Sequence, residues 1–192
     1  MRISTARRRT AAVATAVAAL ALTAPAASAT PDNDPPRSSH GVFQPYGEDA
    51  DAVTYDRKQV PVGSEGSVTS LSHGAHTKVL AKFTGLRPNR NYGAHVHTRP
   101  CGKTGSAAGP HFQQDEAPEG VSGDPTYANP GNEIWLDFRT DAEGNAVSGA
   151  LGDWNPAEGT ANSVVIHEHL TRTAPGEAGE AGPRLACLNV RF

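Results

Sequence analysis

Apolar residues in this chain recur at every second position in short runs, and no stretch sustains the 3.6-residue apolar period of an amphipathic helix. Residues 77–83 (TKVLAKF) are the clearest case: Val79, Ala81 and Phe83 alternate with Lys78, Leu80 and Lys82. Successive side chains of a strand point to opposite faces, so such a run buries one face and wets the other. Comparable runs are read at 52–55, 67–71, 92–97, 133–140, 146–151, 163–167 and 184–192. With 20 glycines and 15 prolines punctuating the chain, eight short strands joined by turns are expected, in an all-β sandwich or barrel. Three connections remain long, 98–132, 152–162 and 170–183. Long irregular loops on a compact scaffold commonly carry function.

The first 29 residues belong to a different category. Arg2 and Arg7 to Arg9 make a basic start, 11–22 is an apolar run, and Ala27-Ser28-Ala29 has the small-residue pattern of a cleavage site. This reads as a secretory signal peptide, so the protein is expected to be exported. The apolar run is too short to span a bilayer, and no later stretch reaches about 18 apolar residues, so no membrane span is expected. Removing the leader takes away four arginines, leaving 17 − 4 = 13 basic against 20 acidic residues, a net charge of −7 with histidine neutral. That balance argues against a nucleic-acid partner. Residues 30–50, rich in Pro, Asp and Ser, read as a flexible tether, and 51–192 as the folded domain. Cys101 and Cys187 both lie in the exported part, where an even count favours one disulfide.

The chemistry concentrates in residues 91–112, NYGAHVHTRPCGKTGSAAGPHF, which hold three of the eight histidines. His95 and His97 flank Val96. On a strand both imidazoles point to one face, roughly 6–7 Å apart along it, and two neutral imidazoles so placed can converge on one metal ion. His111 follows a loop of small residues, and His167 and His169 lie near the C-terminus.

These blocks resemble the copper-zinc superoxide dismutases of the secreted bacterial kind. The matching residues are Gly93-Ala94-His95-Val96-His97, Cys101, Ala108-Gly109-Pro110-His111-Phe112, Val165-Ile166-His167-Glu168 and Gly182-Pro183-Arg184-Leu185-Ala186-Cys187, in family order. The resemblance implies an eight-stranded Greek-key scaffold and dismutation of superoxide to O2 and hydrogen peroxide. It places copper on His95, His97, His111 and His167, gives Arg184 the role of docking the anionic substrate, and pairs Cys101 with Cys187. His111 falls where the family's imidazole bridges copper and zinc, releases copper on reduction and carries a proton. His169, two residues beyond His167, is expected at the rim.

The chain departs from that pattern after His111. Residues 112–132 contain no histidine, only the carboxylates Asp115, Glu116, Glu119 and Asp124, whereas zinc favours nitrogen and sulfur donors. Zinc is therefore not expected, and one copper per chain is. Without zinc another group must orient His111. Glu133 is the candidate, with Asn132 and Asp137 as alternatives. The competing function is a copper-binding protein on the same scaffold, for buffering or delivery without turnover.

Overall fold

The computed structural model describes residues 35–192; the signal peptide read at 1–29 lies outside them. Among the described residues, nine strands form two antiparallel sheets. The first orders β1 (Arg37–Val42), β3 (Glu65–His73), β4 (His76–Thr84) and β7 (Ala146–Gly152) as β1-β3-β4-β7. The second orders β2 (Ala52–Thr54), β9 (Arg184–Asn189), β8 (Ser163–His167), β5 (Asn91–His97) and β6 (Phe138–Arg139) as β2-β9-β8-β5-β6. A short 3-10 turn at Gly105–Ala108 is the single helical element among the described residues. The all-β expectation holds.

Two expectations are corrected. The tether read at 30–50 contains β1, which pairs with β3 from Arg37↔Ser70 to Val42↔Glu65, and Phe43 behind it is fully buried. Its polar sequence misleads because β1 is an edge strand with one wet face. The run at 133–140 has the sequence pattern of a full strand, yet only Phe138–Arg139 forms one. Its first half instead touches β5 through Val96 N–H to Ile134 O and Leu136 N–H to Ala94 O. Those bonds leave Glu133, Trp135 and Asp137 on the side away from the core, while Ile134, Leu136 and Phe138 enter it.

The core lies between the sheets, as the alternating patterns require. β4 presents Val79, Ala81 and Phe83 inward, and β5 answers with Tyr92, Ala94 and Val96. Phe138 stacks between Phe83 and Tyr92, with ring centroids 4.6 and 5.0 Å away. β5 differs from β4 in being buried on both faces, and so is β8. The second face of these strands is covered by the long loops, and the histidines stand there.

Candidate metal centre

The register of two central strands creates the site. β5 and β8 pair with Gly93 opposite His167 and His95 opposite Val165. His95, His97 and His167 therefore share the loop-covered face. The β8–β9 register shifts between Ile166 and His167, so that Leu185 is skipped and Arg184 lies opposite His167. Gly93 leaves room for the loops that cover this face: a Cβ there would lie 2.4 Å from the His169 carbonyl oxygen and 2.7 Å from the Ala181 Cβ. The fourth imidazole, His111, arrives from the loop through a backbone bridge to His97.

One potential ligand atom from each of His95, His97, His111 and His167 lies within 4.8 Å of the others. The His95 and His97 rings are 6.4 Å apart, in the interval expected from strand geometry. Hydrogen bonds assign each tautomer. His97 Nδ1 donates to the Gly109 carbonyl (3.0 Å) and His167 Nδ1 to the Gly182 carbonyl (3.2 Å). Their Nε2 atoms then face each other as lone pairs 3.4 Å apart, which forms no hydrogen bond and calls for a shared electrophile. His95 is reversed: Nε2 donates to Thr171 Oγ1 (2.6 Å), and Nδ1 is buried with no hydrogen-bond partner. A buried polar atom left unpaired is costly, and coordination would remove that cost. His111 Nδ1 donates to Glu133 Oε2 at 2.8 Å, which turns its Nε2 toward the cluster.

Burial keeps His95, His97 and His167 neutral. Desolvation first, then the charge of neighbouring imidazoles and Arg184, lowers His97 to about 2. Desolvation likewise lowers His167 to about 3, opposed by its bond to Gly182, and holds His95 well below its ordinary value. Neutral imidazole is the ligating form. Four imidazole nitrogens, three of them on buried rings and each fixed through its second nitrogen, suit copper as a donor set.

Three polar partners were not named from the sequence. Thr171 passes the hold on His95 to Asp137, donating from Oγ1 to Oδ1 and from its backbone N–H to Oδ2, both at 2.7 Å. Trp135 Nε1 donates to Glu133 Oε2 (2.7 Å) and Gln113 Nε2 to Glu133 Oε1 (2.7 Å). The alternation Glu133, Trp135, Asp137 was the available signal; Thr171 sits in a loop and gave none. Asn132 does not reach His111, because its amide ties Asp115 to the Tyr127 carbonyl. His169 lies outside the cluster, exposed and 3.7 Å from a Glu168 oxygen. Asp115, Glu116, Glu119 and Asp124 are all exposed.

A cavity of about 630 Å³ opens onto the cluster, lined among others by His111, His167, Glu133, Gly179 and Arg184. Arg184 begins β9 and donates from Nη1 to the Gly105 carbonyl at 2.9 Å. Burial lowers its pKa, Tyr55 opposing, but guanidinium stays charged in proteins. It is the cation of this cavity. The Cys101–Cys187 disulfide, with S–S 2.02 Å, ties the loop that carries Gly105 to the strand that carries Arg184.

Residues 64–190 match the family described as copper/zinc superoxide dismutase. The chain is 33% identical over 149 residues to the Cu-Zn superoxide dismutase of Cordyceps militaris, covering 71% of this chain and 94% of that one. With the Humicola lutea Cu-Zn superoxide dismutase it shares 31% over 137 residues, 64% of this chain and 86% of that one. In fold it is similar to the Brucella abortus Cu/Zn superoxide dismutase, with a TM-score of 0.54 at 17% identity over 82% of this chain and all of that one. By this match across most of its length, the chain belongs to the copper/zinc superoxide dismutase family.

Proposed function

We propose that this protein is a secreted superoxide dismutase that works with copper alone. The observation that carries the reading is the contact of Glu133 with His111. In two-metal relatives the far nitrogen of this imidazole is held by zinc; here Nδ1 donates to a buried carboxylate. The same loop offers exposed carboxylates and no histidine, a poor donor set for zinc.

His95, His97, His111 and His167 are the residues to hold copper, which when bound supplies one-electron exchange between its two oxidation states. The rest is the work of this chain. Arg184 provides a fixed cation on which a small anion can dock, with directional N–H groups. It faces a cavity in a chain of net negative charge, so it must focus the approach locally. His111 has the most exposed ring of the four and borders the same cavity. Its Nε2 is the nitrogen placed to hold and pass a proton to an anion docked at Arg184, because Glu133 occupies Nδ1. Dismutation consumes one proton per superoxide, so a proton-passing group beside the anion is required. Export follows from the leader read at 1–29.

The test is metal analysis of the mature protein after exposure to equal copper and zinc, with a superoxide assay on the same sample. One copper, no zinc and rapid dismutation is the expected result. Stoichiometric zinc would overturn the copper-only reading, and one copper without turnover would favour a storage or delivery role. Sequencing of the protein recovered from the medium should begin at Thr30.

A further inference from the structure

Glu133 is held by more than its contact with His111. Its side chain is 2% exposed and accepts three hydrogen bonds, two of them from groups other than His111: the Trp135 indole on Oε2 and the Gln113 amide on Oε1. The Gln113 amide orientation is set in turn, since its Oε1 accepts the Ala117 N–H at 3.1 Å, leaving Nε2 to donate. Trp135 packs edge-on against His95, centroids 5.9 Å apart at 62°. A carboxylate can accept about four hydrogen bonds and rotates freely unless they are made. With His111 as its single donor, Glu133 could turn with that ring. Two donors anchored on separate segments, 113 and 135, prevent this.

We infer that Gln113 and Trp135 are positioning residues that clamp the Glu133 carboxylate, making it a fixed anchor for His111 and thereby setting copper affinity and reduction potential. The inference rests on the reading of Glu133 as the group that holds His111. The clamp acts through Glu133, not through packing on His95. Both donors are side chains that neither ionise nor exchange a metal, so the anchor would keep its geometry whatever His111 Nε2 binds on its other side. Partners outside the ligand shell typically alter metal affinity by about 10- to 100-fold.

The experiment uses the mature, disulfide-bonded protein and compares Trp135→Phe, Gln113→Leu, Glu133→Gln and the two double variants. Trp135→Phe keeps an aromatic ring against His95 and removes the Nε1–H. Cu(II) affinity is read by competition with a chelator, and the midpoint potential and the Cu(II) electron paramagnetic resonance spectrum are recorded alongside. Each single clamp variant should weaken Cu(II) binding about tenfold and shift the potential and spectrum in the direction of Glu133→Gln. In the Glu133→Gln background the second substitution should change affinity less than about twofold. Wild-type affinity and potential in both clamp variants, with a clear effect of Glu133→Gln, would overturn the clamp and leave the anchor standing. An undiminished Trp135→Phe effect in the Glu133→Gln background would also overturn it, pointing to packing on His95. No effect of Glu133→Gln would remove the anchor itself and the clamp with it. If Trp135→Phe does not fold, Gln113→Leu decides by the same criteria.

Discussion

Thr171 makes a defined prediction among single residues. Its hydroxyl accepts from His95 Nε2 and donates to Asp137, so Thr171→Val, nearly isosteric, breaks both bonds without opening a cavity. The apo protein should lose about 1–3 kcal/mol through the unsatisfied groups, measured by denaturant unfolding. Copper affinity should fall about tenfold or more because the His95 tautomer is no longer fixed. Unchanged affinity would mean that ring packing alone holds His95. Arg184 gives a second case. Arg184→Ala should lower kcat/KM for superoxide and flatten its dependence on ionic strength while copper content stays at one per chain. The four histidines, Arg184 and both cysteines were legible because motif spacing marks them, whereas Glu133 was one candidate beside Asn132 and Asp137 until its contact with His111 singled it out. Thr171 and Gln113 were not legible, since each acts only once a loop has folded back onto β5.

The disulfide couples two elements beyond joining them. It connects Cys101 to Cys187 across a sequence separation of 86, a loop long enough that its removal should destabilise the fold by about 4 kcal/mol on chain-entropy grounds. The same connection seats the Gly105 carbonyl on Arg184 and the Tyr55 hydroxyl on Gly102. Cys101→Ser with Cys187→Ser should therefore lower Tm and also raise KM for superoxide in the fraction that remains folded and copper-loaded. A fall in Tm with unchanged kcat/KM would show that Arg184 is positioned without the staple. Strand positions were well predicted wherever one face is buried and the other wet, as in β4. Reading was poorest where alternation carries another meaning. In 133–137 it sorts polar partners of the metal centre from core residues, and hydrogen bonding to a neighbouring strand is only partial. In β1 a polar sequence hides an edge strand.

For the molecule as a whole, the histidines that make the site also set its acid limit. His95, His97 and His167 remain neutral in the folded protein far below pH 6.5, with His97 near 2 and His167 near 3. In the unfolded chain the same residues take up protons around pH 6.5. Above that value neither state binds them and stability is unaffected. Below it the unfolded state binds up to three more protons than the folded one, so stability falls with decreasing pH and the loss continues until the folded-state values are reached. Each histidine contributes a limiting slope of about 1.4 kcal/mol per pH unit, and three together about 4. Against a net stability of about 5–15 kcal/mol for a domain, that slope is enough to unfold the apo protein within a few pH units. The Tm of the copper-free protein should be nearly level from pH 8 to 6.5 and then drop steeply toward pH 4. Copper should move that drop to lower pH, because the ligating imidazoles cannot be protonated until the metal leaves. Thermal melts of apo and copper-loaded protein between pH 4 and 8 measure both effects. Equal apo Tm at pH 7 and pH 4.5 would mean that the cluster opens and accepts protons without unfolding, and that neutrality is not built into the covered face of β5 and β8.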